Sequence, residues 1–400
     1  MVRFISVGKS TKETVREAIE EAVSEAIKGL KGEPALILAF LSFSRYGNAD
    51  EVSKALKEYV ANVPYVAVST AGEYFNGEAL NKSVVVQAFS KEVFRASVGV
   101  GSGAQENGFK AGKEAAEKAL SELGEVSFKG LRPSLVAIVN AAPGQEEEVL
   151  KGVREVLGPY VPIVGGSSGD DFALKPPFGY QVTPKLGGSG LAVVTLIESK
   201  LRFEVVGGHA CKLTGTYGIV TDVAGTRGEV VMKIGNVRAV DVYARWLSKE
   251  VNYVRENMLS LGLGNPLGIK DPITGDVYVK HPAAVNEEGG IVCFASIPKD
   301  TVIHLLSHDL EESVRLGESL VRRARESLGE LEGVLLIHCA GSSAYLGNRR
   351  AEFIKRMYDV ANAPIAGFAA YGEQWGTYKY STLVTHNNLT TAILAFSKSS

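Results

Sequence analysis

Cysteine is scarce in this chain. Cys211, Cys293 and Cys339 are the only three in 400 residues, and no two form a C-x-x-C pair. That excludes a disulfide framework and a cysteine-rich zinc site, and it fits a reducing, cytoplasmic setting. Histidine is also sparse, with six copies. His304 and His308 are four apart but fall at a strand end and a helix start, and no pair has zinc-site spacing. Long apolar runs are missing: stretches such as Ala35–Leu41 are far shorter than the roughly 18 residues of a membrane span. The N-terminus reads as a strand and lacks signal-peptide anatomy. An excess of one charge is missing too. Lys and Arg number 43, Asp and Glu 45, and they are interspersed. This leaves no electrostatic footprint for nucleic acid or an anionic membrane. Glutamine appears five times, a depletion of the kind found in heat-adapted proteins.

What is present is an ordinary globular composition, 45% hydrophobic and 22% charged, in a chain too long for one core. It also contains a recurring pattern. Pro64–Glu73, Pro162–Asp171 and Pro364–Glu373 each run from a proline through an apolar stretch to a carboxylate nine residues later. A glycine stands before the carboxylate in the first and third copies (Gly72, Gly372) and one place earlier, at Gly169, in the second. Such recurrence is the mark of a repeat architecture.

The spacing predicts an α/β protein of three quasi-repeated β-α-β-α-β-β units with mixed sheets, plus a β-rich insert between the second and third units. In the first unit (residues 1–92), Ser10–Glu13 fits a capping box opening a helix to about Gly29. Strands follow at Ala35–Phe43, Tyr65–Ser69 and Ser83–Phe89, with a helix from about Asn48 to Val60. The second unit (93–198) repeats this with strands Phe94–Val100 and Ser134–Asn140 and helices Asn107–Leu123 and Gln145–Leu157. The third (291–400) has strand Thr301–Leu306, helix Asp309–Leu328, strand Gly333–Cys339, helix Asn348–Asn362 and a last strand Leu389–Phe396. The segment Leu201–Gly289 is rich in Gly, Val and turn signals, with one amphipathic stretch at about Arg238–Leu259. The joints Val84–Ser97, Leu191–Glu204 and Ile291–His304 read as antiparallel hairpins. The final strand is expected beside the N-terminal strand Arg3–Val7, closing the sheet system.

These residues resemble the FIST family of sensory modules. Val68–Glu73, Pro162–Asp171 and Val230–Trp246 resemble the FIST N domain, over a region of residues 1–252. Asn265–Gly268, Cys339–Gly347, Ala366–Glu373 and His386–Thr390 resemble the FIST C domain, over residues 253–400. The family often has an arginine three residues after the cysteine, and here that place is Ser342. The resemblance implies a small-ligand sensor, with amino acids or their relatives as ligands and an unidentified signalling protein as partner. It also leaves open haem as a cofactor for sensing nitric oxide, with His209 or His386 as the axial ligand.

The candidate ligand site is the third Gly-acid turn and its setting. Glu373 and Asn387 offer directional polar contacts; Phe368, Tyr371 and Trp375 offer apolar walls; Cys339 ends a strand one step earlier in the unit. Gly372, His386 and the sister carboxylates Glu73 and Asp171 complete the set. The bland reading is that the three carboxylates merely tie down repeated turns, and that Cys339 is packing. Gly165–Gly169 matches the G-x-S-x-G nucleophile string, but Asp170–Pro177 is a poor helix because of its prolines, and the motif needs one there. Gly8–Thr11 resembles the tail of a phosphate loop without its first glycine. The reading therefore leans to non-catalytic binding, with an enzyme using Cys339 or a turn carboxylate as the alternative.

Overall fold

The computed structural model describes residues 2–60, 62–126, 134–176, 178–272, 274–376 and 385–398. It is a mixed α/β fold. The first third contains β1 (Ile5–Ser10), α1 (Val15–Gly29), β2 (Pro34–Ser42), α2 (Ala49–Tyr59), β3 (Tyr65–Thr70) and β4 (Val84–Ser90). The second contains β5 (Phe94–Gly101), α3 (Gly108–Leu123), β6 (Leu135–Asn140), α4 (Glu146–Leu157), β7 (Ile163–Gly166) and β8 (Ala192–Ser199). Then come β9 (Phe203–His209) and an insert that begins with β10 (Cys211–Ala224) and ends with β11 (Val302–His308). The chain finishes with α5 (Leu310–Leu328), β12 (Leu331–Cys339), α6 (Arg350–Ala361), β13 (Ile365–Ala370), β14 (Glu373–Gly376), β15 (Thr385–Asn387) and β16 (Thr390–Ser397).

One pairing scheme occurs in three sheets. β2 pairs β3 in parallel and β4 antiparallel. β6 pairs β7 in parallel and β8 antiparallel. β12 pairs β13 in parallel and β16 antiparallel. The strands are apolar on both faces because both are covered, as parallel pairs require. In β2, Leu36, Leu38 and Phe40 point into one central core, while Ile37, Ala39 and Leu41 meet α1 and α2 on the outside. The central core takes side chains from all three sheets, including Phe40, Phe89, Phe94, Ile138, Ile337, Phe368 and Phe396. The helix pairs α3 with α4 and α5 with α6 cover the other two outer faces.

The expected hairpins at the joints do not form. β4 bonds to β1 and β2, whereas β5 bonds to β8. Likewise β8 bonds to β5 and β6, while β9 bonds to β16. Each tight turn passes the chain from one sheet to the next, so the flanking strands meet face to face across the core. Phe89 and Phe94 make an edge-to-face contact at 5.4 Å there. The third joint forms no hairpin either, but it stays within one sheet, where Ile291–Cys293 and β11 are separated by β10 and the strand Val230–Ile234. The final strand does not meet the N-terminal strand either. β16 is bonded on both edges, to β9 and β12, which leaves it no free edge.

The strand expected at Thr301–Leu306 exists as β11 but belongs to the insert's sheet, paired with β10. The place of a first strand beside β16 is held by β9. The insert therefore runs from Cys211 to His308, with its own core around Val220, Val231, Tyr243, Val254, Met258, Ile291 and Ile303. Its amphipathic stretch is two helices, Ala239–Leu247 and Val251–Gly264, separated where Ser248 takes a left-handed conformation. The α1 cap also differs from expectation by one turn. Thr14, not Ser10, is the N-cap, and its hydroxyl bonds reciprocally with Glu17.

Candidate functional site

The three Gly-acid turns come together. The Ala71 N–H donates to the Ala369 carbonyl, and the Ala369 N–H donates to Gly72. The Ser167 N–H donates to the Gly372 carbonyl, and the Tyr371 N–H donates to Ser167. The Gly169 N–H donates to Ser69, and the Asp171 N–H donates to Thr70. Beyond its turn each chain segment joins a foreign sheet. Glu73–Phe75 adds to β13, β14 adds to β7, and Gln181–Val182 adds to β3. The turns thus lace three sheets into a closed ring. Gly72 and Gly372 have φ of 136° and 103°, which explains the glycines there. In the second turn the positive φ falls on Asp171 and Phe172 instead.

Two of the carboxylates sit in matching clamps. Glu73 accepts from Ser83 through Oγ at 2.6 Å and N at 3.3 Å, and from the Thr70 hydroxyl. Glu373 accepts from Thr390 through Oγ1 at 2.8 Å and N at 3.2 Å. Both are buried, and burial pushes each carboxyl well above its ordinary range despite these donors; Glu73 reaches about 8. Cys339 closes the second clamp. Its Sγ accepts the Leu389 N–H at 3.2 Å, and burial together with the nearby Glu373 drives its thiol pKa far upward. Asp171 accepts from Ser42 Oγ at 2.7 Å and Ser44 N at 2.6 Å, fastening the start of a short helix, Phe43–Tyr46.

The aromatic residues are divided between two places. Phe368 is in the central core, stacked on Phe40 at 4.8 Å. Trp375 lies against Gly207 of β9, where an added Cβ would be 2.4 Å from the indole. The Tyr371 hydroxyl donates to the Asp170 carboxylate and accepts the Phe172 N–H at 2.9 Å. Asn387 bonds back to Thr385. His386 is the member that reaches open space. Its ring packs on Gly372, where a Cβ would stand 2.1 Å from Cε1. Its Nδ1 lies 3.3 Å from Gln374 Nε2, and its Nε2 lies 3.9 Å from Glu146 Oε1.

That space is a cleft of about 750 Å³. Three distant parts of the chain wall it: α4 through Glu147, Leu150 and Arg154; the insert through Arg227, Lys280 and Ser296; and β15 through Thr385 and His386. Glu147 is its centre. Its carboxylate accepts from Ser296 Oγ at 2.7 Å and Ser296 N at 3.3 Å, and stands 3.7 Å from Lys280 Nζ. Burial opposes its charge, but Lys280, His386 and Ser296 outweigh that and hold the carboxyl below its usual range. Burial pulls the Lys280 ammonium down, with Glu147 working against the fall. Burial likewise lowers His386, keeping the imidazole neutral near pH 7. The arrangement offers a buried cation, a partly buried anion, a neutral imidazole and hydroxyls. It suits holding a polar molecule in a fixed orientation. Among the described residues no group of three or more His, Cys, Asp or Glu is placed to hold a metal ion.

Of the residues singled out from the sequence, the structure brings Cys339, Gly372, Glu373 and His386 together, sets Glu73 and Asp171 at the other two turns, and buries Phe368 in the central core. Glu147, Arg227, Lys280 and Ser296 were not visible in sequence because no local spacing connects them. One local signal existed: the acidic run Glu146–Glu148 at the head of a helix.

Residues 35–236 match the FIST N domain and residues 239–375 the FIST C domain. The chain belongs to the FIST family. No curated protein matches it. Among solved structures, a cyanuric acid hydrolase from A. caulinodans is similar at 12% identity over 49% of this chain and 71% of that one, with a TM-score of 0.27. T. maritima PurL complexed with FGAR is similar at 13% identity over 98% of this chain and 72% of that one, with a TM-score of 0.22. Likenesses this slight carry no argument about fold or function.

Proposed function

We propose that this FIST protein is a sensor that binds a small polar metabolite, such as an amino acid, in the cleft around Glu147 and Lys280. FIST domains are generally taken to be small-ligand-binding sensory domains of signalling proteins. The observation that carries the reading is the ion pair of buried Lys280 with partly buried Glu147, facing a cleft whose walls come from three parts of the chain. A ligand there touches the body through α4 and β15 and the insert through Lys280 and Ser296. Binding favours whichever arrangement of insert and body fits the ligand, and a partner protein reads that change in population. Binding without catalysis is supported by Cys339, whose thiol is buried, already hydrogen-bonded and shifted away from the reactive thiolate.

Thermal-shift screening against amino acids and related acids tests this, because a ligand of the folded state raises the melting point. A hit should lose its shift in Lys280→Met. A shift that survives intact in that variant, in a protein that still unfolds cooperatively, sinks the cleft as the site.

A further inference from the structure

The charges around the cleft do not cancel, and the remainder defines the ligand. Its walls carry Lys151, Arg154, Arg227 and Lys280 against Glu147 and Glu148. Lys151 is 2.6 Å from Glu148, and Lys280 is 3.7 Å from Glu147. Two arginines are left over. Arg154 spends Nη1 on the carbonyls of Gly158 and Val161, at 2.7 and 2.8 Å, closing the end of α4. The Arg227 guanidinium has no acceptor among the described residues, and its Nη1 is buried without one.

The nearby carboxylates that do not line the cleft are already engaged. Glu229 accepts the backbone N–H of Arg227 at 2.9 Å and lies against the turn at Gly225, not along the guanidinium. Glu146 stands behind His386 and accepts from Ser167 Oγ at 3.0 Å and Gly144 N at 2.8 Å. Arg227 is near enough to Glu147, Lys280 and His386 to act on the charge of all three. An always-charged, forked donor group therefore faces a polar cleft with nothing in the described chain to receive its hydrogen bonds. An oxyanion that accepts two parallel N–H bonds is the partner whose geometry and charge match it.

We propose that Arg227 is the seat for an oxyanionic group of the ligand, a carboxylate or a phosphate, with Lys280 as the second cation beside it. This rests on the cleft being the sensory site and says which chemistry it selects. The ligand is an acid, and its anionic end is held by the insert while the rest of it lies against α4 and β15. Arg227 lies in the short turn between β10 and the strand Val230–Ile234, so an anion gripped there couples directly to the insert's sheet.

Isothermal titration of the full chain with succinate, inorganic phosphate and succinamide tests the assignment. Succinate or phosphate should bind and succinamide should not; whichever anion binds identifies the source of the charge. Arg227→Gln should weaken that anion by about tenfold or more with an unchanged denaturation midpoint, and Arg227→Lys should recover part of the loss. Equal binding of succinamide, undiminished binding to Arg227→Gln, or no binding of either anion overturns the proposal. If an uncharged compound instead raises the melting point and loses its effect in Lys280→Met, the cleft remains the sensory site and only the anion seat falls. If nothing binds, both fall.

Discussion

Replacing Glu73 with glutamine should make the protein less sensitive to rising pH. The carboxyl is buried beside Ser83 and Thr70, and burial raises its pKa from 4.5 to about 8. Between those values the unfolded chain releases the proton and the folded chain keeps it. The contribution is therefore fully present below pH 4.5 and is lost as pH rises toward 8. The slope is about 1.4 kcal/mol per pH unit, or about 3 kcal/mol between about pH 5 and about pH 7.5. Glutamine keeps the shape and stays neutral. Its carbonyl can accept from Ser83, and its amide can face Thr70 Oγ1, whose own hydrogen then turns to the Leu41 carbonyl at 3.3 Å. The assay is urea unfolding of both proteins across that pH range, read as the difference between them, because other buried groups titrate in both. The difference should move in favour of Glu73→Gln by about 3 kcal/mol. Parallel pH profiles would show that Glu73 is ionised in the fold, and the account of the clamp would be wrong.

Three further outcomes follow from contacts described above. Gly372→Ala places a Cβ 2.1 Å from the His386 ring at a φ of 103°, and should cost about 3 kcal/mol or more by denaturant melting; a loss under about 1 kcal/mol would contradict the packing of turn on ring. Glu147→Gln strands the buried Lys280 ammonium and should destabilise by about 3 kcal/mol, with most of the loss recovered when Lys280→Met is added; an additive double mutant would refute the pairing. Burial holds His338 and His281 neutral, with pKa values pushed down to about 3 and about 4. Their stabilising effect is full above pH 6.5 and falls as the solution is acidified, so His338→Gln should flatten the acid limb by up to about 1.4 kcal/mol per pH unit, and an unchanged limb would exclude it.

The regular elements were legible because continuous apolar runs and helical spacing are local. Ala35–Phe43 and Gly333–Cys339 were readable as covered strands from their apolar runs, and they are β2 and β12. The joints were misread for a physical reason. A tight turn between two apolar strands looks the same whether they pair edge to edge or pack face to face, and only the destination of the next strand decides. Glu73 and Glu373 were visible as a recurring pair, but their clamps depend on Ser83 and Thr390 arriving from the return strands. The cleft was illegible because its polar groups come from Glu147, Arg227, Lys280, Ser296 and His386, which only the fold assembles. Even the α1 cap shows the limit. Two Ser/Thr-x-x-Glu strings stand four residues apart, and the winner is the one in register with the buried face of Val15, Ala18, Ile19 and Ala22.

The position of β16 has a kinetic consequence. It lies between the edge strand β9 and β12 in its sheet, and its Phe396 ring touches Phe89, Phe94 and Phe203. The strand it joins to β12 on one side, β9, lies roughly 190 residues earlier in the chain. A nascent chain therefore makes β9, the whole insert and β12 before the segment that unites them. Until then two strand edges and one wall of the aromatic cluster stay open. Closure over so long a loop is slow, and open edges recruit other chains meanwhile. The window between making β9 and making β16 is thus the interval in which this protein is most exposed to misassembly, and an insert that packs on its own core shortens the effective distance the chain must close.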